Sequence, residues 1–121
     1  MKLNHVDLQV SDVDLARAFF ELHFDLRCVF QRRSELAMLE DEGGFSLGVS
    51  NLFNSSPPTY PRDFHIGFIL ETEAQVRTQF QRLVDAGVAM KTDLSLGGPN
   101  IYFMCLGPDG LMVEVRGPID A

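Results

Sequence analysis

No stretch of this chain approaches the ~20 consecutive apolar residues that a membrane-spanning helix requires. A helical membrane protein is therefore not expected. The opening MKLNHVDLQVSD also lacks the apolar core of a secretion signal and runs straight into a strand-like alternation, which points to a cytoplasmic protein. Cysteine is scarce: Cys28 and Cys105 stand singly in apolar segments, without zinc-ribbon or disulfide-framework spacing, and are expected to be reduced structural thiols. Positive charge is scarce too. Ten Lys and Arg against seventeen Asp and Glu leave a net charge of −7, which opposes a phosphate backbone and favours a cationic small molecule. Nucleic acid is not an expected partner.

What is present is an ordinary globular composition, 45% hydrophobic over 121 residues, with room for one compact domain. Its hydrophobic period switches from two to about three and a half and back, and does so twice. Residues 3–10 (LNHVDLQV) alternate, with Val6, Leu8 and Val10 on one face and His5, Asp7 and Gln9 on the other. Ser11 and Asp14 have capping-box spacing, and Leu15, Ala16, Phe19, Phe20 and Leu22 trace a helical stripe. Short β-prone runs follow at 25–31, 35–40 and 45–50, separated by charged or glycine turns. The first module, residues 1–51, thus reads βαβββ.

Residues 52–62 form a proline- and serine-rich connector. The second module, 63–121, opens on DFHIGFIL, which alternates with Phe64, Ile66, Phe68 and Leu70 opposite His65, Gly67 and Ile69. Thr72 and Gln75 have capping-box spacing, Val76, Phe80, Leu83 and Val84 supply the stripe, and Gly87 ends the helix. VAMKTDL, NIYFMCL and GLMVEVR are three further strands, the last two joined by the tight turn GPDG. Superposing His5 on His65 brings Arg17 onto Arg77 and Phe20 onto Phe80. At the other end Gly44 falls on Gly110, so that Gly48 falls on Glu114. An internal repeat of this kind dictates architecture.

The fold expected is therefore α+β, two βαβββ modules forming cupped mixed sheets with a helix on the outer face of each. His5 and His65 point away from the helices. In the closing strand Leu111, Val113 and Val115 take the helix-facing parity, so Met112, Glu114 and Arg116 point the other way. Two imidazoles and a carboxylate on one kind of surface can hold a divalent ion with open positions. Blander readings stand beside this. A single strand histidine is more often structural than a ligand, and Glu114 could serve an edge strand or an ion pair with Arg116 or Arg62. The acidic run at 40–42 reads most simply as a solvated turn, and His23 as a surface residue.

The segment LNHVDLQVSDVDLARAFF, the histidine opening the second half and the closing PDG-LMVE resemble the vicinal oxygen chelate superfamily. That superfamily includes glyoxalase I, extradiol dioxygenases, fosfomycin-resistance thiol transferases, methylmalonyl-CoA epimerase and bleomycin-resistance proteins. The resemblance covers essentially the whole chain and implies His5, His65 and Glu114 as ligands of a divalent metal, whether iron, manganese, nickel or zinc. It also implies a homodimer, because members often exchange modules between chains. Residues expected to line the cup are Asp7, Gln9, Ser46, Ser50, Ile69, Tyr102, Met104 and Met112, of which Asp7, Gln9, Ser46, Tyr102, Met104 and Met112 are the candidate substrate contacts.

The chain also departs from its relatives' patterns. A fourth ligand used by glyoxalase I and the epimerase would stand where this chain has Gly48, and a tyrosine expected ten residues before the carboxylate is Met104, with Tyr102 the nearest substitute of equal parity. Asp7 stands where the fosfomycin enzymes have threonine, and LSLGGPN is unlike their potassium and phosphonate loop. The implied function is a metal-dependent lyase, dioxygenase or transferase acting on a small oxygenated substrate that chelates the ion. The alternative is a metal-free, bleomycin-resistance-like protein that sequesters a small cation in an acidic groove.

Overall fold

The computed structural model describes residues 1–53 and 56–120; Asn54 and Ser55 of the expected connector, and Ala121, lie outside the described residues. The chain divides into two compact units, Met1–Thr59 and Tyr60–Ala121. In the first unit the elements run β1 (His5–Gln9), α1 (Val13–Phe24), β2 (Arg27–Arg32), β3 (Leu36–Glu40) and β4 (Ser46–Ser50). Its sheet has the order β1-β4-β3-β2, with β1 parallel to β4 and the other pairs antiparallel. In the second unit β5 (His65–Ile69), α2 (Glu73–Asp85), β6 (Ser95–Gly97), β7 (Asn100–Leu106) and β8 (Met112–Pro118) give β5-β8-β7-β6 with the same senses. The repeat read from the sequence is thus one topology built twice, an α+β fold of two βαβββ modules.

Each sheet buries one face against its helix. Leu8, Ala37, Leu39, Leu47 and Val49 are buried in the first unit; Ile101, Phe103, Cys105, Val113 and Val115 are buried in the second. These are alternate positions along their strands, so the intervening residues occupy the helix-free face. Phe20 contributes from α1, and Val76 and Leu83 from α2, all fully buried.

Three details differ from the sequence expectation. The cap of α1 is Asp12, whose carboxylate accepts the Leu15 amide at 2.9 Å, and not Ser11. Asp14 turns elsewhere, accepting from the Gln31 amide (2.7 Å) and the Ser34 hydroxyl (2.8 Å), and these bonds hold its carboxyl below the ordinary range. The stripe of α1 is also narrower than expected: Leu15 and Leu22 are 69% and 67% exposed. At 3.6 residues per turn they fall opposite the buried set Val13, Ala16 and Phe20.

Third, VAMKTDL is not a regular strand. Met90 makes one isolated bridge to Cys105, and β6 is only Ser95–Gly97. The amides of Lys91 and Thr92 both donate to the Met104 carbonyl, while Thr92 Oγ1 accepts the Met104 amide at 2.9 Å. A side chain has taken one rung of the ladder, which breaks the register. The remaining signals are as read. Thr72 and Gln75 form a reciprocal capping box, Gly87 follows α2 at φ +80°, and GPDG forms a 3-10 turn with Asp109 at φ 57°.

Candidate functional site

The helix-free face of the first unit is built on the parallel pair β1/β4, where His5, Asp7 and Gln9 lie opposite Ser46, Gly48 and Ser50. Facing residues on parallel strands share a side, so all six belong to one surface. In the second unit His65, Gly67 and Ile69 lie opposite Met112, Glu114 and Arg116, with Tyr102 and Met104 joining from β7. Every candidate contact named from parity thus falls on a helix-free face. The residues differ in exposure: His5, Asp7, Gln9, His65 and Ile69 are exposed, Ser46, Tyr102, Met104, Met112 and Glu114 are half-buried, and Ser50 is 7% exposed.

The histidines are oriented by their neighbours. His65 Nδ1 lies 3.0 Å from the Asp63 carbonyl oxygen, which can only accept, so that nitrogen carries the proton. His5 Nδ1 donates in the same way to Asn4 Oδ1 at 2.8 Å. In the neutral imidazole this leaves each Nε2 as the lone-pair nitrogen. A ring whose second nitrogen is tied to a backbone or side-chain oxygen is the usual state of a metal-binding histidine.

Glu114 is placed by β8, an inner strand of its sheet, so the edge-strand explanation does not hold. Its side chain is only 17% exposed, and its one partner among the described residues is Arg116, whose Nε lies 3.8 Å from Oε1. That distance is beyond a hydrogen bond, and a loose pair with a half-exposed arginine contributes little. Arg62 pairs with Asp63 instead. Gly67 faces Glu114 across the ladder, and a Cβ at Gly67 would lie 3.5 Å from Glu114 Oε1, so the glycine keeps the strand beside the carboxylate bare. His65 stands one strand over and two residues back, roughly 8 Å between Cα atoms at ideal spacing, near enough for both side chains to meet one ion. Within neither unit do three His, Cys, Asp or Glu side chains gather into one cluster among the described residues. Each donor type suits a divalent ion on its own face: exposed imidazoles whose Nδ1 is already tied to an oxygen, and in the second unit a carboxylate with no strong competing partner among the described residues.

Glu40, which ends the β-prone run 35–40 and opens the acidic run 40–42, is the last residue of β3 and stands opposite Ser46, itself opposite His5, on the helix-free face. The signal was available in LAMLE, where Ala37 and Leu39 take the buried parity and leave Leu36, Met38 and Glu40 on the other side. The oxygens that orient the histidines had no such signal. His23, expected at the surface, is half-buried on α1 with its ring 5.1 Å from that of Phe19.

The family model of the Glyoxalase/Bleomycin resistance protein/Dioxygenase superfamily matches residues 2–115. Among solved structures the chain is similar to a possible glyoxalase from Bacillus cereus, with 33% identity, a TM-score of 0.83, and coverage of 95% of this chain and 97% of that one. It is also similar in fold to lactoylglutathione lyase from Agrobacterium tumefaciens, at 18% identity and a TM-score of 0.79, over 96% of this chain and 92% of that one. A glyoxalase/dioxygenase from Nostoc punctiforme matches at 18% identity and a TM-score of 0.83, over 98% and 92% of the respective chains. No curated protein matches significantly.

Proposed function

This chain belongs to the glyoxalase/bleomycin resistance protein/dioxygenase superfamily, and we propose that it is a metal-dependent enzyme acting on a small oxygenated substrate. His5, His65 and Glu114 hold the ion. The observation that carries this reading is the shared posture of the histidines: each is the first residue of its module's first strand, and each has Nδ1 tied to an oxygen so that Nε2 is left to bind. A structural role would not require the same tautomer at the same place in both repeats.

A divalent ion in such a set supplies Lewis acidity toward substrate oxygens that enter its open positions. The chain's own residues do the rest. Gln9 and Ser46 offer polar contacts from module one, while Tyr102, Met104 and Met112 give module two a mixed wall against the substrate's carbon skeleton. The working assembly is a cytoplasmic homodimer.

Elemental analysis of protein purified without chelators or added metal tests the proposal. About one transition-metal ion per set of His5, His65 and Glu114 is expected, and the Glu114→Gln variant should carry far less. Protein that holds no ion and takes up none on incubation with Fe(II), Mn(II), Ni(II) or Zn(II) would overturn it. The acidic sequestering reading, supported by the net charge of −7, would then take its place.

A further inference from the structure

The two modules place a carboxylate and a glycine at facing positions of their parallel strand pair, but in exchanged order. In module two the acid is Glu114 on the later strand and the glycine is Gly67 on the earlier one. In module one the acid is Asp7 on the earlier strand and the glycine is Gly48 on the later one. By the sheet register Gly48 is the repeat counterpart of Glu114, and Asp7 that of Gly67.

Asp7 does more than share a row with Gly48. A Cβ on Gly48 would lie 3.0 Å from Asp7 Oδ1, so the carboxylate lies over the space that a side chain at Gly48 would occupy. The hydroxyl of Ser50, 7% exposed, donates to Asp7 Oδ2 at 3.1 Å and fixes the other oxygen. Ser50 is the counterpart of Arg116, the residue that approaches Glu114. Each module thus has a carboxylate beside a glycine, and in module one the carboxylate is held by a hydrogen bond from two residues further along the inner strand.

We propose that Asp7 is the carboxylate ligand of module one, supplying with His5 the metal contact that Gly48 cannot. The inference rests on the metal-site reading above and deepens it. His5 and Asp7 are two apart on one strand and project to the same side, as two donors to one ion must. Charge supports the assignment: an imidazole ligand leaves the charge of a divalent ion uncompensated, and a carboxylate beside His5 offsets part of it. A second oxygen anion also shifts preference toward harder ions such as Mn(II).

The test is Mn(II) binding to the full-length protein, read as loss of the free-ion electron paramagnetic resonance signal, with metal-free thermal unfolding in parallel. Asp7→Asn should bind Mn(II) at least about 100-fold more weakly, beyond what loss of an outer-shell partner costs, while melting close to the wild type. The double variant Asp7→Gly with Gly48→Glu transplants the module-two arrangement and should recover most of the affinity lost. The nearest contact besides Asp7 is the Met38 sulfur, 3.0 Å from the new Cβ and near the flexible end of its side chain. Affinity unchanged in Asp7→Asn, or no recovery in a folded double variant, would overturn the inference. Glu114→Gln measured alongside separates the two levels. Loss there without loss in Asp7→Asn overturns the role of Asp7 alone, and a wild type that binds neither Mn(II) nor Fe(II), Ni(II) or Zn(II) overturns both.

Discussion

At the scale of single residues, environment separates side chains that composition treats alike. Cys105 is fully buried and its thiol is pushed up to about 11 by burial, whereas Cys28 is half-buried on the edge strand β2. A thiol reacts as thiolate. Under native conditions, mildly alkaline alkylation should therefore modify about one of the two cysteines, and peptide mapping should find the label on Cys28; comparable labelling of Cys105 would contradict the packing described. Tyr60 is pushed from 10.0 up to about 12, first by burial and then by the Asp109 carboxylate. Because folding disfavours the phenolate, the tyrosine's contribution to stability is complete below pH ~10 and is lost as the pH rises through ~12. Thermal unfolding followed across that window should show a smaller decline in Tyr60→Phe than in the wild type. The candidate ligands were legible as residues because strand parity alone assigns His5, His65 and Glu114 to helix-free faces. Their tautomers were not, since Asn4 and the Asp63 carbonyl become partners only once the backbone is placed.

At the scale of elements, local chemistry was legible wherever one residue decides the outcome. Thr72 and Gln75 announced their capping box by spacing, and Thr72 Oγ1 accepts the Gln75 amide at 3.2 Å. The start of α1 offered two competing oxygens, Ser11 and Asp12, and the winner depended on Asp14 being drawn toward Gln31 and Ser34 by tertiary contacts. Thr72→Ala and Asp12→Ala should each destabilise the protein by about 1 kcal/mol in urea unfolding at neutral pH. A negligible loss in Asp12→Ala would restore Ser11 as the cap. The irregular segment before β6 was read as a strand because VAMKTDL has β-prone residues. What breaks it is Thr92 Oγ1 taking the Met104 amide, a side-chain bond that no hydrophobic pattern encodes.

At the scale of the whole molecule, the repeat was the most legible feature, because two sequence halves with the same alternation, caps and closing strand can only build the same module twice. How the modules combine is a matter of assembly. Each sheet is open, with β1 and β2 at the margins of one and β5 and β6 at those of the other. Open edges favour pairing. Light scattering at micromolar concentration should report a mass near twice 13.6 kDa, and a monomer would contradict the proposed homodimer. The central claim is that metal binding depends on the carboxylate of Glu114 and not on that of Glu40, the acid at the end of β3. It is tested most directly by calorimetric titration of Mn(II) into the wild type, Glu114→Gln and Glu40→Gln, with thermal unfolding of each in parallel. The account predicts severe loss of affinity in Glu114→Gln with the fold intact, and near wild-type affinity in Glu40→Gln; equal affinity in wild type and Glu114→Gln, or loss confined to Glu40→Gln, would contradict it.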